Sequence, residues 1–167
     1  GSLAFVMANI INYTLPEAEI IVIGRHWEKL ELFSFAHERY ITDSIPEDLS
    51  FDHGFECCGG DGSGPAINDL IRYIKPQGTI LMMGVSEYKV NINTRDSLEK
   101  GLLLVGSSRS GRVDFENAIR MMEIKKFANR LKNIIYLEEP VRGIKDIHRV
   151  FATDLNTAFK TVFKWEV

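Results

Sequence analysis

Hydrophobic positions along this chain follow two alternating periods. From Leu3 to Tyr13 apolar residues recur at three- and four-residue intervals, as on one helix face, and TLPEAE closes the segment before the unbroken apolar run Ile20 to Ile23. That run is too short for a helix and reads as a buried strand. Helical spacing returns from Glu28 to Ala36, Arg39 to Thr42 reads as a short strand, and Phe51 to Cys58 as another, closed by GGDGSG. Pro65 suits the first turn of a helix running to about Ile74. KPQG then reads as a turn, and GTILMMGV and Leu102 to Ser108 (LLLVGSS) as nearly all-apolar strands. A helical stretch from about Val113 to Phe127, the segment IIYL, a helix near Ile144 to Ala152 and the strand-like AFKTVFKWEV complete the chain.

Strands that are apolar on both faces and separated by helices indicate a parallel sheet with helices on both sides, an α/β fold built from βαβ units. An open nucleotide-binding sheet normally starts with a strand whose glycine-rich turn, G-x-G-x-x-G/A, holds a pyrophosphate at a helix N-terminus. Here Gly1-Ser2-Leu3-Ala4 matches only the last four positions of that turn. Either the fingerprint is cut and the first, central strand is absent, or Gly1-Ser2 is a cloning remnant. The expected fold is a Rossmann-type doubly wound parallel sheet lacking its first strand. Residues 1–150 would form the dinucleotide-binding domain, and residues 151–167 a tail returning toward another domain.

Composition narrows the partners. The 167 residues are 45% hydrophobic and 26% charged, ordinary for a globular chain with one sizeable core. A net charge of -3 argues against a general nucleic-acid binder, which needs a basic excess to displace counterions from a phosphate backbone. No apolar run approaches the ~20 residues of a membrane helix. Cys57 and Cys58 are adjacent, a spacing unsuited to an ordinary disulfide or a four-ligand metal site, so a reduced, cytoplasmic setting is expected.

The stretches FDHGFECCGG, AINDLIRYIKPQGTILMMGV and EKGLLLVGSSRSG come in a specific order. Together they resemble the cofactor-binding domain of the medium-chain, zinc-type alcohol dehydrogenase superfamily. Within it, FDHGFECCGGDGS, MGVSEYKVNINTR and LEKGLLLVGSSRSG look closest to ribulose-5-phosphate reductases, also called ribitol-5-phosphate dehydrogenases. The resemblance implies an NADPH-dependent oxidoreductase that makes ribitol 5-phosphate from a small phosphorylated sugar, for CDP-ribitol and so for teichoic acids or capsules. It also implies that the zinc ligands and proton relay lie in an N-terminal domain outside this sequence, so no catalytic or metal-binding residue is assigned here. His26, His37, His53 and His148 show no metal-ligand spacing. A zinc-free quinone or enone reductase of the same superfamily and a non-catalytic nucleotide sensor are the alternatives.

In NAD-selective relatives the second strand ends in an acid that accepts hydrogen bonds from the adenosine ribose. The resemblance aligns that position with Gly24, so the carboxylate that would repel a 2'-phosphate is missing, while Arg25 and His26 offer donors to a dianion. Lys29 matches a lysine that contacts the same ribose. Outside the strand context these residues are only a solvated helix start; with it, NADP(H) is the expected cofactor. The resemblance sets Cys57, Cys58 and Gly59 against the adenine-side ribose, as a small wall and not as redox thiols. It sets Met83, Gly84, Val85, Val105, Gly106 and Ser107 near the nicotinamide carboxamide, and Lys160 near the pyrophosphate. Arg109 and Arg112 are candidates for a phosphate that nothing in the sequence orients. SEYKVNIN is expected as an edge strand through which relatives form homodimers.

Overall fold

In the computed structural model, which describes residues 1–157 and 159–166, the first helix, α1 (Ser2–Thr14), buries Phe5, Ala8 and Asn9 on one face. The chain then enters β1 (Ile21–Gly24), makes one turn of helix in α2 (Trp27–Leu30) and returns as β2 (Glu38–Ile41), parallel to β1 with Gly24 opposite Ile41. The helix expected from Glu28 to Ala36 thus stops at Leu30. Tight turns replace it, with Phe33 N–H donating to Leu30 O and Ala36 N–H to Phe33 O. Tertiary packing explains the difference: Phe33 and Phe35 turn inward and meet the Phe5 ring edge-on at 5.1 and 5.5 Å.

By its contacts the chain divides into two units, residues 1–41 with 112–167, and residues 42–111. The first unit is built on Phe5, Ala8, Ile20, Val22, Leu30, Phe33 and Ile134. The single helix expected from Val113 to Phe127 is two, α5 (Arg112–Glu123) and α6 (Lys125–Leu131), because Ile124 adopts an extended ψ of 104° between them. Arg130 of α6 donates to the side-chain oxygens of Asn9 and Asn12, each at 2.8 Å, and lies over the Phe35 ring. Asn9, 1% exposed, donates in turn to Phe127 O, so this buried amide is satisfied on both sides. β6 (Ile135–Leu137) pairs in parallel with β7 (Lys160–Val162), and α7 (Ile144–Asn156) connects them. Ala158 and Val167, the ends of the expected AFKTVFKWEV strand, lie outside the described residues, and the strand itself is only three residues long.

The second unit is a three-stranded parallel sheet, β3 (Phe51–Glu56), β4 (Ile74–Met82) and β5 (Leu103–Gly106), with β4 in the middle. Its core is Ile67 and Ile71 of α3 (Ser63–Tyr73) against Ile74 and Ile80 of β4. KPQG, expected as a free turn, is an irregularity inside β4: Phe51 pairs with Ile74, the register shifts, and Gln77 takes a left-handed φ of 63° before pairing resumes at Thr79. Lys100, just after α4 (Thr94–Glu99), sends its ammonium to the carbonyls of Ile71, Arg72 and Ile74 and thereby closes the end of α3. The expected edge strand SEYKVNIN is not a strand. Its backbone is held by the Asn68 side chain, which donates to Asn91 O and accepts from Asn93 N–H, while Val90 and Ile92 pack on the core.

β1-β2 and β3-β4-β5 are each parallel, and a parallel strand is reached from the one before it through a helical connection, as in doubly wound α/β folds. The fold is Rossmann-like, as expected. Among the described residues no helix is long and apolar enough to cross a membrane.

Candidate functional site

In a parallel sheet every strand points the same way, so the loops leaving the carboxyl ends gather on one edge. In the second unit Glu56, Met82 and Gly106 are register partners at the ends of β3, β4 and β5. Cys57 to Gly59 and Met83 to Val85 follow directly, and Val105 to Ser107 span the end of β5, so three groups expected from distant parts of the sequence share one sheet edge. Main-chain bonds fasten it: Met83 and Gly84 N–H donate to Glu56 O, Gly60 N–H to Val85 O, and Ser107 N–H to Met82 O. Val85 is 87% exposed and Gly106 and Ser107 are exposed, leaving this edge open to a ligand.

Two glycines make the close approach possible. Gly59 has φ of 68°, and a Cβ there would stand 2.8 Å from Val85 O. A Cβ on Gly84 would stand 2.3 Å from Gly59 N and 2.4 Å from a Glu56 carboxylate oxygen. Sequence reasoning passed over Glu56. Its side chain is 1% exposed, and its oxygens accept from Cys58 N–H at 2.8 Å, Gly59 N–H at 2.9 Å and Gly84 N–H at 2.9 Å. The available signal was period two: Gly54 and Glu56 share the inward face of β3, where an acid is out of place unless it is hydrogen-bonded. Cys57 beside it has a thiol pushed up to about 11 by burial and by the neighbouring Glu56 charge, which suits a wall and not a nucleophile.

The first unit has a corner of its own at the end of β1. Gly24 ends β1, and Arg25 and His26 follow it, both exposed, with His26 in extended conformation capping α2. A Cβ on Gly24 would come within 3.1 Å of the Leu30 side chain. Lys29, half-buried, sits in α2, and Arg39 of β2 lies over the Trp27 ring at 5.6 Å. Lys160 is exposed on β7, on a separate sheet, where it lines a groove with Phe151, Asp154, Phe163 and Trp165. Among the described residues no group of three or more His, Cys, Asp and Glu could hold a metal ion. The residues present therefore do not fit the zinc that the resemblance assigns to a preceding domain.

No protein-family model matches the chain. Over its whole length it is 90% identical to ribulose-5-phosphate reductase of Streptococcus pneumoniae, covering 48% of that protein. Over 99% of its length it is 42% identical to ribulose-5-phosphate reductase 1 of Staphylococcus aureus, covering 49% of it. The chain thus spans about half the length of the curated relatives it matches. Among solved structures, S. aureus TarJ in complex with NADPH superposes with a TM-score of 0.95 at 42% identity, over all of this chain and 54% of that one. L-idonate 5-dehydrogenase from Escherichia coli, 20% identical, superposes with a TM-score of 0.78 over 98% of this chain and 47% of that one, and shares the fold. The resemblance drawn from FDHGFECCGG and the stretches after it is borne out along the whole chain.

Proposed function

We propose that this chain is the NADP(H)-binding part of a ribulose-5-phosphate reductase, which reduces the ketone of ribulose 5-phosphate to ribitol 5-phosphate by hydride transfer. What carries the reading is likeness along the entire chain, 90% to a ribulose-5-phosphate reductase and a TM-score of 0.95 to a protein crystallised with NADPH. NADPH, when bound, supplies the hydride; the work of this chain is to bind and orient it. Gly24 leaves the end of β1 without a carboxylate, and Arg25, His26 and Lys29 supply positive charge and donors for a 2'-phosphate. The loops after β3, β4 and β5 offer a main-chain surface for the rest of the dinucleotide, with Cys57, Cys58 and Gly59 on the ribose side and residues 83–85 and 105–107 toward the carboxamide. Lys160 would serve the pyrophosphate. The setting is the cytoplasm, where thiols stay reduced, and the product feeds CDP-ribitol for teichoic acids or capsules.

The test is an assay of the full-length protein with NADPH and ribulose 5-phosphate, beside a titration of both nicotinamide cofactors. Substrate-dependent oxidation of NADPH, with NADH the weaker ligand, is the expected result. Binding of NADPH without reduction of any ketose phosphate would leave a nucleotide sensor instead, and equal affinity for the two cofactors would remove the role of Gly24 and Arg25.

A further inference from the structure

At the edge of the β3-β4-β5 sheet, three backbone N–H groups of two separate loops face inward. Cys58 and Gly59 N–H meet one oxygen of the Glu56 carboxylate, and Gly84 N–H meets the other. We infer that Glu56 is a positioning residue, a buried clamp that ties the loop after β3 to the loop after β4 and so presets the surface on which the cofactor lies. This rests on the proposed function for its ligand, although the clamp itself is a property of the second unit.

Three observations carry it. Glu56 is 1% exposed, so its oxygens have no water to turn to and depend on these amides. The two loops also touch through Gly60 N–H to Val85 O at 2.8 Å and Ser86 Oγ to Gly60 O at 3.0 Å, so the carboxylate sits at the root of a seam and not at an isolated turn. Finally, there is no room for a substitute inside the seam, because a Cβ on Gly84 would run into Gly59 N and the carboxylate. A loop fixed before binding spares the cofactor the cost of ordering it, and that saving appears as affinity.

The geometry makes Glu56→Gln informative. An amide keeps one acceptor oxygen and turns the other atom into a donor. With its oxygen toward Cys58 and Gly59, the new NH2 would face Gly84 N–H, so the carboxylate's part of the tie would be lost and only the main-chain bonds of Gly60, Met83 and Gly84 and the Ser86 hydroxyl would remain. In the full-length protein, amide exchange over residues 57–60 and 83–86 should accelerate about tenfold or more while the interior of β3 to β5 stays protected. NADPH affinity and KM should worsen about tenfold, with kcat at saturation changed by less than about threefold. Glu56→Asp, which retains two acceptor oxygens, should recover part of both. Ile71→Val, which loosens the core of the same unit, should lower thermal stability without that local pattern. Exchange that rises evenly across β3 to β5, or that does not change, would reduce Glu56 to a core filler and overturn the inference. So would lost NADPH affinity with both loops still protected. If Glu56→Gln does not fold, the wild-type protein decides: its Cys58, Gly59 and Gly84 amides, outside any strand, must be protected about a hundredfold, and unprotected amides overturn the clamp. A wild-type protein that binds no NADPH would end the functional reading and leave the exchange result standing.

Discussion

The corner at the end of β1 and the edge formed by β3, β4 and β5 differ in what they present. In the proposed function the corner would act through side chains: Arg25 and His26 are exposed, and Gly24 matters for the group it lacks. The edge would act through main chain, with Gly59 and Gly84 packed closely enough that no side chain fits, and with the buried Glu56 bonded to both loops. The difference teaches where each property is adjustable. Side chains at a solvent-exposed corner can be exchanged to change which cofactor is preferred at little cost to folding. A main-chain surface cannot be retuned residue by residue; it is either in place or lost.

The edge gives the largest expected effect. Gly84→Ala puts a methyl group where Gly59 N and a Glu56 oxygen already lie, at 2.3 and 2.4 Å, and neither is the free end of a flexible chain. Overpacking of this kind costs about 3 kcal/mol or more. Chemical denaturation should show that loss, and NADPH and NADH binding should fall together. An alanine accepted here without loss would break the contrast between the two regions.

The corner should answer selectively. Gly24→Asp restores the acid that repels a 2'-phosphate, and Arg25→Ala removes a charge-assisted donor worth about 1.5–3 kcal/mol. Each should weaken NADPH about tenfold in a binding titration while leaving NADH within about twofold, with little change in stability. Leu30 yields only slightly to the new Cβ at 24, since the 3.1 Å contact is with the tip of its side chain. Parallel loss of both cofactors would mean that Arg25 and Gly24 serve the structure and not the phosphate.

Legibility in the sequence divides along the same line. Corner and edge were both readable as strand ends, because the apolar runs at Ile20–Ile23, GTILMMGV and LLLVGSS have the length of strands and Phe51–Cys58 is closed by the turn residues GGDGSG. What sequence could not supply was any interaction that closes over long separations. The turn after Leu30 depends on Phe5 receiving Phe33 and Phe35, the break at Ile124 separates two helices whose apolar spacing looks continuous, and the extended segment at 90–93 depends on Asn68 more than twenty residues earlier. Glu56 was missed for a related reason. A single acid just before Cys57-Cys58 and a glycine pair looks like a strand end, and only the return of β4 brings Gly84 N–H to its second oxygen.

Smaller effects sharpen the contrast by falling outside both regions. Lys100 gives all three of its ammonium protons to the carbonyls of Ile71, Arg72 and Ile74, behind the edge and away from the strand ends. Lys100→Met keeps the aliphatic stem and leaves those carbonyls without their donor, at a cost of about 1–2 kcal/mol. Urea unfolding should register it, and cofactor preference should not change. A shift in preference would mean that the far end of α3 is coupled to the binding edge.

Cys57 should show nothing at neutral pH and a definite effect in base. Its thiol is pushed from 9.0 up to about 11, first by burial and then by the Glu56 charge beside it, so the folded protein holds the proton more tightly than the unfolded chain does. The stability this confers is complete below about pH 9. It is lost as pH rises toward about 11, because over that interval the unfolded thiol ionises while the folded one does not. The urea midpoint of the wild-type protein should therefore decline relative to Cys57→Ala across that window, and alkylation of Cys57 should remain slow at pH 8, where little thiolate exists. Fast alkylation of Cys57 at pH 8 would mean that the wall beside Glu56 opens readily to solvent, and the rigid character assigned to the edge would fail with it.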